Sequence, residues 1–182
     1  MTSYNELNNN LETLNLLRMK ELLPNTIEKS IKTNISLQES LLELTRAEIA
    51  FKDERARKIN ITVSNFPYIK TINDFDYQPT INKNQILDLA SLRFIDDKSN
   101  ILFVGSSGVG KTHLATSIGI EAASQRVSTY FINFAVLMEK IKKAAQENRL
   151  EQIIRHYTKY TLLIIDEIGY LPVDKDSSYW FF

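Results

Sequence analysis

Ile101-Leu102-Phe103-Val104-Gly105-Ser106-Ser107-Gly108-Val109-Gly110-Lys111-Thr112 is the stretch on which the reading of this chain turns. The four apolar residues predict a strand. Residues 105–112 satisfy G-x-x-x-x-G-K-[ST], the phosphate loop that joins such a strand to a helix. Gly105, Gly108 and Gly110 permit the tight turns that aim successive N–H groups of the loop, through Ser106, Ser107 and Val109, at a phosphate chain. Lys111 brings a point charge to the β- and γ-phosphates, and Thr112 offers a hydroxyl to Mg²⁺. The helix that follows, expected over residues 111–125, directs its N-terminus at the anion. Taken alone, the stretch also fits a glycine-rich turn with no ligand.

A second motif stands against that bland reading. Thr161-Leu162-Leu163-Ile164-Ile165-Asp166-Glu167 is a short apolar run, partly β-branched, that predicts a strand buried on both faces of a parallel sheet. Carboxylates at the C-terminal end of such a strand lie where open α/β sheets place their chemistry. Asp166 is the expected Mg²⁺ partner beside Thr112. Glu167, on the other side of the pleat, is the expected polariser of an attacking water.

The 182 residues suffice for one ordinary domain and a small appendage. Lys+Arg and Asp+Glu both number 22, so overall charge does not advertise a nucleic acid, although a local basic patch would suffice to bind one. The absence of cysteine removes disulfides, thiol catalysis and zinc–thiolate sites. No apolar run reaches membrane-spanning length and no secretory signal is evident, which makes the cytoplasm the expected location.

Residues 1–65 read as a helical N-terminal region and residues 66–182 as the nucleotide-binding part. Leu7, Leu11, Leu14 and Leu22 follow helical spacing, with Pro24 expected to stop the segment. Ser36-Leu37-Gln38-Glu39 is a capping box opening a longer helix with Leu37, Leu41, Leu44 and Ala47 as its apolar stripe. Glu48–Lys52 and Glu54–Lys58 are i,i+4 pairs in the favourable order. The interleaved acids of residues 52–58 favour a solvated helix end over a contact surface for DNA or protein. Residues 60–80 read as irregular, punctuated by Phe66-Pro67 and Gln78-Pro79. Their Tyr68, Ile69, Ile72, Phe75 and Tyr77 suit either an adenine cover or linker packing. A helix is expected over residues 83–95, a strand over 127–132, and helices over 135–147 and 150–157. Alternating strands and helices predict a parallel sheet covered on both faces, an α/β three-layer sandwich. His113 and His156 have no metal-ligand partner at useful spacing.

Gly105-Ser-Ser-Gly-Val-Gly-Lys-Thr-His-Leu-Ala115 and Leu162-Leu-Ile-Ile-Asp-Glu-Ile-Gly-Tyr-Leu-Pro172 together resemble the IstB-like ATP-binding proteins. These are AAA+ ATPases that assist insertion-sequence transposases and are similar to DnaC-type helicase loaders. The resemblance is strong over residues 60–173 and looser before them. It implies a P-loop NTPase of the AAA+ type that binds ATP and Mg²⁺. It also implies self-oligomerisation, non-specific contact with double-stranded DNA, and a transposase or helicase as partner. By match of positions, Gly105 to His113 form the nucleotide-binding stretch, and Thr112 and Asp166 the metal side. Lys111 and Glu167 are the catalytic pair, with Glu167 activating water. The family continues with a sensor-bearing strand, an arginine finger, a further strand and a helical lid. The expectation here is therefore an AAA+ domain incomplete at the C-terminus, a truncated copy or split-gene half whose unaided hydrolysis is doubtful and whose 101–104 strand lacks neighbours.

Two other functions remain open on the residues. One is a non-catalytic interaction module that uses the N-terminal helices. The other is a nucleotide or nucleoside kinase, disfavoured because the Asp166-Glu167 pair suits attack by water and residues 169–176 offer only Lys175 to an acceptor.

Overall fold

The computed structural model describes residues 2–77 and 82–168, and divides the chain into two compact units, Met1–Ala56 and Arg57–Phe182. Gln78-Pro79, Lys175 and the Gly-Tyr-Leu-Pro tail of the second motif lie outside the described residues.

The first unit is built from α1 (Ser3–Thr13), α2 (Leu17–Thr33) and the greater part of α3 (Leu37–Val63). Leu11, Met19, Leu23 and Leu44 make its buried core, flanked by Leu16 and Leu22. Each such side chain contributes about 1.5–3 kcal/mol by leaving water. The capping box forms as expected: Ser36 N–H donates to the Glu39 carboxylate, and Glu39 N–H to Ser36 Oγ, both at 3.2 Å. Pro24, by contrast, does not stop a helix but lies inside α2. An interior proline costs about 3 kcal/mol through one lost N–H bond and a clash. Burial of Met19 and Leu23 before it and Thr26 after it offsets that cost, and the Thr26 hydroxyl donates to the Leu22 carbonyl at 3.0 Å. The break between α1 and α2 falls instead at Asn15, in the left-handed region that asparagine tolerates.

The apolar stripe expected on α3 is also corrected. Leu37 and Leu41 are exposed, and the buried face runs Ser40, Leu44, Glu48. Glu48 is only 4% exposed. Its Oε2 accepts from the backbone N–H of Met19 at 2.9 Å, in the first turn of α2. This carboxylate satisfies a helix N-terminal donor from a neighbouring helix, where the helix dipole favours negative charge. Lys52 Nζ is more distant, 3.7 Å from the other oxygen. Glu48→Ala leaves the Met19 N–H buried and unpaired, and is expected to lower the stability of this unit by about 1–3 kcal/mol, whereas Glu48→Gln, which keeps an acceptor, recovers much of it. Urea denaturation followed by circular dichroism distinguishes the two; equal loss for both would remove the cap from this account.

The second unit carries the last turns of α3, then α4 (Lys83–Ala90), α5 (Arg93–Asp96), α6 (Lys111–Ser124), β1 (Thr129–Asn133), α7 (Phe134–Gln146), α8 (Leu150–Tyr157) and β2 (Leu162–Asp166). β1 and β2 pair in parallel, with Phe131 opposite Ile164 and Asn133 opposite Asp166. The pleat sorts their side chains into two layers. Tyr130, Ile132, Leu163 and Ile165 pack on Leu137 and Met138 of α7 and Tyr157 of α8. Leu162 and Ile164 face the opposite way, toward Ile118 and Gly119 of α6. The outer edge of β1 is closed from α3's end: Phe131 N–H donates to the Ser64 carbonyl at 2.8 Å, and Asn65 Nδ2 to the Phe131 carbonyl at 3.0 Å.

Four expectations for this unit are corrected. Residues 101–104 form no strand. Phe103 is anchored among Phe75, Leu92, Leu114 and Ile118, but Leu102 and Val104 are 77% and 83% exposed. A strand is defined by its ladder, and among the described residues none pairs with this segment. For the same reason β2 is half-buried along its length rather than buried on both faces. The single helix expected over residues 83–95 is two, α4 and α5, separated at Leu92, whose left-handed backbone (φ 64°) lets its side chain enter the core beside Ile118. The strand expected over residues 127–132 begins and ends later, at Thr129 and Asn133.

Candidate functional site

The site lies where the first turn of α6 meets the end of β2. Gly110 stands immediately before α6 in a left-handed conformation (φ 92°, ψ 17°), which glycine reaches without the penalty of a Cβ. It has a second reason to be glycine: a Cβ there would lie 2.5 Å from Cε2 of Phe75. The Phe75 ring thus bears directly on the loop's last turn. Phe75 is buried with Ile86 and Leu114, while Tyr68 and Ile69, grouped with it from the sequence, are exposed.

Lys111 folds back over the loop. Its Nζ donates to the carbonyls of Gly105 at 2.8 Å and Ser106 at 2.7 Å, so the ammonium sits at the mouth of the loop. Thr112 Oγ1 donates to both oxygens of Asp166, at 3.1 and 3.0 Å, across 54 residues of sequence. Asp166 belongs to the same pleat face as Leu162 and Ile164, the face covered by α6, which is why its carboxylate reaches Thr112.

Among the described residues no group of three or more His, Cys, Asp or Glu side chains is placed to hold a metal ion. Mg²⁺ does not require one. It keeps several waters and takes one or two protein oxygens together with substrate phosphates. A hydroxyl and a carboxylate already within 3.1 Å of each other beside a phosphate loop are hard oxygen donors that fit it.

Glu167 follows β2 with a left-handed backbone, φ 61°. Its Oε2 accepts from Asn133 Nδ2 at 2.5 Å. Asn133 closes β1 and serves two groups at once, because its Oδ1 accepts from Ala135 N–H at 2.8 Å and caps α7. Asn133 was missed from the sequence as a site residue. An asparagine directly before an amphipathic helix is a readable cap signal, but the pairing of β1 with β2 that brings it to Glu167 is not. His113 has its Nε2 3.2 Å from the Thr71 carbonyl and lies edge-on to Phe75 and Tyr68, so its ring faces residues 68–75. His156 lies in a ring cluster with Tyr130, Tyr157 and Tyr160.

The Ile72–Asp74 turn beside His113 is itself closed by a capping box. Asp74 accepts from Thr71 N–H at 2.7 Å and from its hydroxyl at 2.8 Å. These bonds, the backbone one foremost, hold its carboxyl below the usual carboxylate range. The contribution is present above the ordinary carboxylate pKa and is lost only as pH falls through the lowered one.

A glycine-rich loop at a helix N-terminus, a lysine over its mouth, and a threonine bonded to the acid that ends a parallel strand are the parts from which P-loop nucleotide sites are built. The family model for the IstB-like ATP binding protein matches residues 9–182, and the chain belongs to that family. It is 50% identical over 182 residues to a protein of Bacillus thuringiensis subsp. berliner named for ATP binding in insertion sequence IS232, covering 99% of this chain and 73% of that one. It is 46% identical over 151 residues to the corresponding IS5376 protein of Geobacillus stearothermophilus, with 82% of this chain and 60% of that one covered. To the IS21 protein of Pseudomonas aeruginosa it is 32% identical over 174 residues, covering 93% and 66%. The chain thus spans between about three-fifths and three-quarters of the length of these relatives. No helix among the described residues is long and apolar enough to cross a membrane.

Asn133→Ala removes the α7 cap and is expected to cost about 1 kcal/mol, while Asn133→Ser, which caps nearly as well but is too short for Glu167, stays within about 0.5 kcal/mol of the parent. Equal stability of all three in chemical denaturation would show that Asn133 is not a working cap.

Proposed function

We propose that this chain is the ATP-hydrolysing accessory protein of an insertion sequence, acting in the cytoplasm on double-stranded DNA with a transposase as partner and further copies of itself. The observation that carries the enzymatic part is the Thr112–Asp166 pair beside the phosphate loop, with Glu167 held one residue further on. The names of the relatives support the setting, since each is attached to an insertion sequence. A role like that of a DnaC-type helicase loader in replication is the variant of this reading in which a helicase replaces the transposase.

Each residue has a defined task in that reading. The backbone N–H groups of Gly105 to Thr112 cradle the α- and β-phosphates, and the start of α6 adds its positive end. Lys111 leaves the Gly105 and Ser106 carbonyls for the β- and γ-phosphates of ATP, exchanging neutral acceptors for charged ones. Thr112 and Asp166 would hold Mg²⁺, which would supply positive charge against that of the phosphates. Glu167 accepts the proton of the attacking water. Asn133 donates to the Glu167 carboxylate, and therefore sets where the base sits before water arrives.

The alternative, a non-catalytic module acting through its N-terminal helices, predicts no nucleotide dependence at all. Two substitutions test the enzymatic reading in a chain of the relatives' full length. Lys111→Ala removes a charged donor to the phosphates, and nucleotide affinity is expected to fall about 10- to 100-fold. A labelled ATP analogue that bound parent and mutant equally would refute the loop assignment. Glu167→Gln keeps shape and Asn133 contact but cannot take a proton. Turnover is expected to fall about 10²- to 10⁴-fold with affinity nearly unchanged. Unaltered turnover would exclude Glu167 as the base.

A further inference from the structure

His113 follows Thr112 in the first turn of α6, yet its polar contact runs to Thr71 and not to the loop. The Thr71 carbonyl, 3.2 Å from Nε2, can only accept, so Nε2 carries the proton and donates. One turn further along α6, Ser117 Oγ shares its proton between the His113 carbonyl at 2.8 Å and the Lys70 carbonyl at 3.1 Å. Two side chains of α6 thus grip consecutive carbonyls at the start of the Ile72–Asp74 turn. That turn is short and internally locked, with Asp74 N–H donating to the Thr71 carbonyl at 3.1 Å and Phe75 N–H to the Ile72 carbonyl at 3.2 Å. The residue leaving it is Phe75, whose ring lies edge-on to His113 with centroids 5.2 Å apart and abuts Gly110.

We infer that His113 is a positioning residue for the phosphate loop: its Nε2–H, through the Thr71 carbonyl, seats the Phe75 ring against Gly110 and so fixes the left-handed turn from which the loop's N–H groups face the phosphates. Glycine at that position has the widest conformational freedom of any residue, and nothing in its own structure selects φ 92°. The ring selects it from outside by leaving no room on that side of the Cα. When the grip is lost, the turn loosens and the loop spends part of its time in conformations that do not bind. Apparent affinity falls by the fraction of time lost. The Thr71–Asp74 box alone does not prevent this, because it closes the turn on itself without tying it to α6.

This inference rests on the nucleotide-binding reading of the loop, so the test has one arm that needs no nucleotide. His113→Phe keeps an aromatic ring and removes the donor. His113→Gln places an amide N–H close to where Nε2 lies. In the nucleotide-free full chain, hydrogen exchange at the Asp74 and Phe75 amides is expected to quicken in the Phe variant and to stay near the parent rate in the Gln variant. With a fluorescent ATP analogue, the Phe variant is expected to bind roughly tenfold more weakly, the order set by having to reorder one backbone residue on binding, and the Gln variant within about twofold. Thermal midpoints without nucleotide should agree for all three, which a general packing defect would not allow. Parent-like exchange in the Phe variant overturns the inference. Quickened exchange with parent-like affinity also overturns it, and leaves the nucleotide-binding reading intact. If the parent binds no analogue, the nucleotide-binding reading fails, and positioning for phosphate fails with it, whatever the exchange arm shows about the Thr71 contact. Should His113→Phe not fold, His113→Asn, whose donor stops short of the Thr71 carbonyl, repeats both arms with the same expected outcomes.

Discussion

The close approach of α6 to β2 is the constraint on which the site depends. It is set at Gly119, where a Cβ would stand 2.5 Å from Cδ1 of Ile164 and 2.7 Å from Cε1 of Phe66. Thr112 lies two helical turns before Gly119, about 10 Å along the axis, and Asp166 lies two residues beyond Ile164, about 7 Å along the strand. A helix held away from the sheet by one methyl group at Gly119 would carry Thr112 away from Asp166, and their hydrogen bond at 3.0 Å leaves little room for that. The chemistry at one end of α6 is therefore governed by the lack of a side chain near its middle. Burial of Leu114, Ile118, Ala122 and Ala123 holds the helix in place around that point.

The elements that carry the candidate site and are local in sequence were legible there. The loop, α6 and the acid at the end of β2 are each specified by residues within a dozen positions of one another, and the spacing of residue types has a physical meaning that survives in any surroundings. The capping box of Ser36 and Glu39 was legible for the same reason. What failed were inferences that needed the partner. An apolar run such as residues 101–104 predicts extended backbone, and the alternation of anchored Phe103 with exposed Leu102 and Val104 is that of an extended chain. Whether it becomes a strand depends on a ladder that periodicity does not encode. Pro24 failed in the opposite direction, because local propensity said stop and the burial of Met19 and Leu23 outweighed it. Leu92 likewise entered the core at the expense of a continuous helix.

Glu48 in the first unit and Asn133 in the second make a related point. From the sequence, Glu48 reads only as half of an i,i+4 pair, and Asn133 is passed over. In the structure each is an acceptor for a helix N-terminus, Glu48 for α2 from another helix and Asn133 for α7 from its own flank. The free N–H groups at helix starts must find acceptors when water is excluded, and a long carboxylate side chain can supply one from a distant part of the chain. The amphipathic pattern marks which positions are buried on average. It does not mark a polar side chain that is buried because it completes a neighbour's backbone.

The end of β2 shows how such pairing prepares a site. Glu167 has a left-handed backbone, which for a residue with a side chain costs roughly 1–2 kcal/mol. Its carboxylate accepts from Asn133 in an exposed bond, which offsets part of that cost. The amide thus meets the carboxylate in the direction the backbone turn gives it. The turn also separates the two acids. Asp166 keeps the direction of the strand and remains on the α6 side with Thr112, while Glu167 leaves it toward Asn133. Adjacent carboxylates that both followed the strand would still alternate by the pleat, but neither would be fixed beyond it. With Thr112 on one and Asn133 on the other, each carboxylate has its own partner and its own direction.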